Sequence, residues 1–264
     1  NLFFYLILPP VIFSAGYSLK RKNFFKYMDL IAFFGIFGTI MNFALIALGA
    51  YAYGRLFGDE TWFRVTWNEA LIFSAVLTGS DEVSARSIVR IKDFPRMGAL
   101  IFGEGVVNDA MSIVLFKTFL PLYNSEHSSI SVQQSLTYPS PSALTVIESI
   151  IVQLICSVLI GVTCGLLHAL LMRRLPMIKH FPIYQTALVM LFGYMSYCAA
   201  EATGISGILT VFIAAVTLAH YSWYNLSSSA QIATRLSFAA ISEIAEGFAF
   251  SYVGLSLWVY DDGG

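Results

Sequence analysis

Three side chains suited to ion chemistry stand inside one apolar run, residues 102–115 (FGEGVVNDAMSIVL): Glu104, Asn108 and Asp109. Between Met97 and Pro121 the only other ionisable group is Lys117, near the far end. An aspartate or lysine at the centre of a membrane-spanning helix costs on the order of 2.5–3.5 kcal/mol on insertion scales. Such groups therefore face a bundle interior or a wet cavity and mark the path of an ion or proton. The competing reading is an interhelical hydrogen-bond staple, which a single Asn would suit. An adjacent Asn-Asp pair with Glu104 one turn earlier favours an ion site.

A second cluster, Thr78-Gly79-Ser80-Asp81-Glu82, interrupts another apolar stretch, residues 69–91. About nine largely apolar residues lead into it, and the half that follows carries Arg86 and Arg90. Helices broken at Gly, hydroxyl and carboxylate residues are how many transporters build an ion site at mid-membrane. The alternative is a short re-entrant turn, or two unrelated amphipathic pieces. Arg86 needs a carboxylate partner on either view, and Glu82 lies four residues earlier on the same helical face.

The elements that must position these clusters are membrane helices. The chain is 57% hydrophobic and only 12% charged, against roughly 25% charged for soluble domains. A span takes about 20 mostly apolar residues. Eight stretches qualify or nearly so: residues 1–17, 30–53, 69–91, 97–121, 144–172, 183–201, 205–221 and 238–259. Lys20, Arg21, Lys22, Lys26, Arg90, Lys92, Arg96, Arg173, Arg174, Lys179 and Arg235 fall in alternate loops. The opposite loops carry only Arg55 and Arg64, balanced by Asp59 and Glu60. By the positive-inside tendency the first set is cytosolic, and all eight spans then alternate in direction.

The expected fold is thus an all-α polytopic membrane protein, with a discontinuous helix near residues 78–83. Residues 1–264 read as a single transmembrane domain, incomplete at both ends. Pro9-Pro10 is expected to kink the first span. Gly35, Gly38 and Gly49 read as packing surface, and 122–143 and 222–236 as polar loops. Glu148 and His168 are expected at the interfaces, and His220 at a helix end. Asn225-Leu226-Ser227 matches a glycosylation triplet, silent on the cytosolic side. Cys156, Cys164 and Cys198 sit in apolar runs and form neither a disulfide framework nor a CxxC metal site. No basic cluster with interleaved aromatics points to nucleic acid, and no cofactor is expected.

From FGEGVVND outward, the chain resembles the eukaryotic sodium/proton exchanger family, the NHE and NHX members of the monovalent cation:proton antiporters. LPPVIFSAGYSLKRKNFF at residues 8–25, SGILTVF at 206–212, AHYSWYNLS at 219–227, the segment around Glu246 and FSYVGL at 250–255 carry the likeness. HYSWYNLS and FGEGVVND look more like the endosomal and vacuolar branch than the plasma-membrane branch. The resemblance implies an inverted-repeat antiporter in which broken helices cross at mid-membrane. It further implies that Asp109 binds cation and proton in competition, with Asn108, Asp81, Ser80 and Thr78 around it, Asp109 and Asp81 acting as the acidic ligands of a monovalent cation. An Asn-Asp pair goes with electroneutral exchange of one cation for one proton. Glu104 would pair with Arg235, and Glu201 and Glu246 would support rather than ligate. Removal from water disfavours a bare carboxylate, so a proton and Na+ or K+ can compete for it. Membrane lipid and a second copy of the chain, as a homodimer, are the implied partners. An endosomal, Golgi or vacuolar membrane is the implied location.

The chain departs from the family where Ala-Thr-Asp-Pro or Ala-Thr-Asp-Ser is usual: it has Gly79-Ser80-Asp81-Glu82, with Arg86 and Arg90 at positions usually apolar. These departures favour the alternative, a channel or non-transporting sensor on the same fold. An intramembrane enzyme is disfavoured. Neither Asp81 nor Asp109 lies in a YD or GxGD context, and His127, His168, His180 and His220 are scattered with no HExxH.

Overall fold

A computed structural model describes residues 5, 7–18, 26–57, 65–79, 89, 94–127 and 143–261. Among them every regular element is helical: α1 (Leu8–Ser18), α2 (Met28–Ala32), a π-helical turn (Phe33–Gly38), α3 (Thr39–Phe57), α4 (Trp67–Leu77), α5 (Pro95–His127), α6 (Ala143–Arg174), α7 (Pro182–Ala202), α8 (Gly207–Thr217) and α9 (Ser228–Asp261). Short 3₁₀ turns at Pro176–His180 and Trp223–Asn225 and a π-turn at Leu218–Ser222 join the later helices. The chain divides into a central unit, Lys20–Leu154, and a terminal unit, Asn1–Leu19 with Ile155–Gly264. The names refer to sequence position alone.

Five stretches are long and apolar enough to cross a membrane: Met28–Leu56, Arg96–Tyr123, Glu148–Arg174, Gly207–Asn225 and Ser228–Ser256. The other three expected spans each contain a helix among their described residues. α1 and α4 are 11 residues each. α7 has 21 residues, but Gln185, Thr186, Ser196 and Glu201 dilute its apolar character. At the first span, Tyr5 and Ile7 have π-helical geometry just before Pro9-Pro10, because the prolines cannot supply the N–H groups an α-turn would use there.

Two boundaries and the placement of one histidine differ from the sequence expectation. α5 continues through Pro121 to His127, into a stretch read as polar loop. α9 begins at Ser228, so Arg235 is helical rather than in a loop. His168 is not interfacial: it is fully buried, with Nδ1 2.8 Å from Ser222 Oγ and its ring edge-on to Phe192 at 5.1 Å. The hydroxyl that accommodates it comes from the π-turn, an element with no hydropathy signature.

In the central unit, Phe43, Ala47, Leu71, Ala75, Leu115 and Phe119 form one buried cluster that joins α3, α4 and α5. Phe43 and Phe119 stack at 5.3 Å. In the terminal unit, Phe13 of α1 stacks on Phe238 of α9 at 4.1 Å, and Gly193 admits it: a Cβ there would lie 2.6 Å from the Phe13 ring. α7 ends in a Schellman turn, with Ile205 N–H bonded to Ala200 O and Gly204 N–H to Glu201 O. Gly204 takes the φ of +75° that this turn demands. Buried Gln185 ties segments together, donating to the Ile178 and Lys179 carbonyls and accepting from Ser227 N.

Candidate ion site

The site is built on the middle of α5. Asn108 is 4% exposed, Glu104 and Asp109 are half-buried, and Val106, Ala110, Met111, Val114 and Leu115 around them are buried. An α-helix brings residues three and four apart onto one face, so Asn108 lies over Ser112 and Glu104 precedes Asn108 by one turn.

Against this face packs the π-turn that precedes α3. A Cβ on Gly35 would lie 2.5 Å from Val107 Cγ1, and one on Gly103 would lie 2.6 Å from Ile31 Cδ1. Only glycine permits backbones this close. The close approach sets Thr39 Oγ1 2.9 Å from Asn108 Oδ1, with both residues nearly out of solvent. The Thr39 hydroxyl also bonds the Gly35 carbonyl within the π-turn. π-turns inside α-helices frequently accompany functional sites.

From the other side comes the end of α4. A capping box starts this helix: Thr66 N–H donates to Glu69 Oε2 (2.8 Å), and Glu69 N–H to Thr66 Oγ1 (3.3 Å). The helix stops at Leu77, where Thr78 caps it, its N–H and hydroxyl both donating to Ser74 O at 2.9 and 2.6 Å. Thr78 is fully buried. A Cβ placed on the next residue, Gly79, would sit 3.4 Å from Ser112 Oγ, so the end of α4 abuts α5 one turn beyond the Asn-Asp pair. The structure thus brings Thr78 and Gly79 to the Asn108–Ser112 segment. Ser80, Asp81, Glu82, Arg86 and Arg90 lie outside the described residues.

The remaining acids and Arg235 belong to the terminal unit, whereas Glu104 belongs to the central one. Arg235 is exposed on α9. Glu201 Oε1 accepts from Gly207 N–H at 3.1 Å, which satisfies a first-turn donor of α8. Glu246 is exposed and accepts from Ser242 Oγ at 3.0 Å.

Chemically, this stretch of α5 offers two half-buried carboxylates, Glu104 and Asp109, near the neutral oxygens of Asn108, Ser112 and Thr39. Among the described residues no group of three or more His, Cys, Asp or Glu side chains is placed to hold a metal ion. Such a set suits a hard, weakly held monovalent cation, by the preference of hard cations for oxygen. Sequence reading missed Thr39 and Ser112. Each is a lone hydroxyl in an apolar run, and the one available signal was position: Ser112 three residues after Asp109, and Thr39 just after Gly38.

Comparisons with known proteins show the family of the chain. The family model described as sodium/hydrogen exchanger, transmembrane, matches residues 1–260. Sodium/hydrogen exchanger 1 of Oryza sativa subsp. japonica is 35% identical over 255 residues, covering 97% of this chain and 45% of that protein. Sodium/hydrogen exchanger 3 of Arabidopsis thaliana is 35% identical over 255 residues, covering 97% and 48%. Sodium/hydrogen exchanger 8 of Homo sapiens is 28% identical over 261 residues, covering 98% and 43%. The chain spans less than half the length of these curated relatives. With apolar helices of spanning length and a family match over nearly all its residues, the chain is an integral, multi-pass membrane protein that belongs to the sodium/hydrogen exchanger family.

Proposed function

We propose that this protein is a secondary antiporter that exchanges Na+, K+ or both for H+, with Asp109 as the group for which cation and proton compete. The observation that carries the reading is buried Asn108 beside half-buried Asp109 where α5 meets the end of α4. A carboxylate removed from bulk water is stabilised either by a proton or by a cation, and less well by neither. If the site crosses the membrane loaded with one or the other, exchange is one for one and moves no net charge. Asp81, Ser80 and Thr78 complete the ligand set in this reading, and Asn108 orders the site. Glu82, Glu201 and Glu246 are accessory acids.

The two units belong, on this reading, to one exchanger domain that works as a homodimer and regulates the pH and cation content of an organelle. The FGEGVVND and HYSWYNLS motifs favour an endosomal, Golgi or vacuolar membrane. The chemistry is transport rather than bond-making. The second reading, a channel-like or non-transporting sensor, is favoured by Glu82 and Arg86 in the broken-helix segment.

The test uses the complete reading frame in proteoliposomes with a luminal pH dye and an imposed Na+ or K+ gradient. A cation-driven pH change in the native protein that is lost in Asp109→Asn supports antiport through Asp109. A silent native protein that gains exchange in Glu82→Pro/Arg86→Leu supports the second reading.

A further inference from the structure

We propose that Ser112 is a cation ligand, its hydroxyl oxygen facing the bound ion between α5 and the end of α4; this rests on the antiporter reading above. Ser112 is 7% exposed, and its Oγ has no hydrogen-bond partner among the described residues.

That state is unusual within this chain. Serine and threonine in helices ordinarily turn their hydroxyl back onto a carbonyl one turn earlier. Here Thr78 bonds Ser74 O, Thr118 bonds Val114 O, Ser196 bonds Gly193 O, Thr210 bonds Ser206 O and Thr217 bonds Ile213 O. Ser112 declines this bond and lies instead beside Gly79, the first residue past the end of α4. A buried hydroxyl left without a partner destabilises the fold, and in native proteins such a group calls for a ligand, ion or water. His168 Nε2 and Ser206 Oγ likewise lack a hydrogen-bond partner among the described residues. Both belong to the terminal unit. Ser112 alone of the three stands three residues from Asp109 on the same helical face.

The chemistry fits. A hydroxyl keeps two lone pairs for a cation, and Na+ or K+ entering this site must exchange water oxygens for protein oxygens. Asn108 Oδ1 lies 2.9 Å from Thr39 Oγ1, whereas the Ser112 oxygen has no hydrogen-bond partner among the described residues. A glycine at position 79 keeps open the space in front of it.

The experiment compares full-length native protein, Ser112→Ala, Ser112→Thr and Asp109→Asn, by exchange in proteoliposomes and by thermal unfolding in detergent with and without Na+ or K+. Ser112→Ala should raise the cation KM about fivefold to tenfold, the worth of one lost polar contact, with the effect on KM rather than kcat. It should shrink the cation-induced rise in Tm. Without cation its Tm should equal or exceed the native value, since the substitution removes an unpaired buried hydroxyl. Ser112→Thr, which keeps the oxygen, should restore the low KM.

An unchanged KM in Ser112→Ala, while Asp109→Asn abolishes exchange, overturns this inference and leaves the antiporter reading standing. A lowered Tm of Ser112→Ala in cation-free buffer also overturns it, because that is the mark of a structural hydroxyl. A native protein that neither exchanges nor responds to cation in Tm overturns both readings.

Discussion

The hydroxyl of Thr39, at the start of α3, lies 2.9 Å from the side-chain oxygen of Asn108, in the middle of α5, and both residues are buried. This contact joins α3, whose one charged residue, Arg55, lies in its last turn, to the Asn-Asp pair on α5. Thr39→Val keeps the shape and deletes the donor. It should cost about 0.5–2 kcal/mol, the range for hydrogen bonds between membrane helices, while Thr39→Ser should recover most of that loss. Reversible unfolding in mixed micelles reads both values. A neutral Thr39→Val would show that Asn108 is held by other contacts.

The approach of the π-turn to α5 depends on Gly35. A methyl there would overlap Val107, and overpacking of this kind costs about 1–3 kcal/mol. Gly35→Ala should therefore destabilise the protein by that amount, and Gly35→Ala/Val107→Ala should recover a large part of it. Equal losses in the single and double variants would place the strain elsewhere.

Glu201 accepts from Gly207 N–H at 3.1 Å, so a carboxylate sits at the positive end of the α8 dipole. Glu201→Ala should lower stability by about 0.5–2 kcal/mol, as the loss of a helix cap does. Glu201→Gln, which keeps the acceptor oxygen, should lose less. The comparison needs only thermal unfolding of the purified variants.

His168 and His180 make opposite demands on a chemical probe. His180 is exposed, whereas His168 is fully buried against Ser222 and Phe192. Diethyl pyrocarbonate should acylate His180 in the folded protein and reach His168 only after unfolding, as followed by peptide mass spectrometry. Similar rates at the two residues would contradict the burial of His168.

Class and membrane character were legible in the one-dimensional pattern, because apolar runs of spanning length and an excess of Lys and Arg in alternate loops need no partner to be recognised. The Asn108-Asp109 pair and Glu104 announced themselves for the same reason: polar groups in an apolar run are costly and conspicuous. The end of a helix at Thr78-Gly79 was also readable, from the glycine and hydroxyls that follow an apolar stretch. The helical start of α9 was not, since Ser228–Leu236 lies beyond the apolar window and polarity there says nothing about backbone geometry.

Tertiary structure alone decided which hydroxyls matter. Thr39, Ser112 and Ser222 look alike in sequence, each a small polar residue beside apolar neighbours. What separates them from other serines and threonines is the helix each one faces, and that follows from the Gly35 and Gly103 contacts and from the place where α4 stops. The sequence by itself determined that acids stand inside an apolar run on α5; only packing determined how far they are buried and which oxygens lie near them, because burial and orientation are properties of neighbouring helices rather than of the residue.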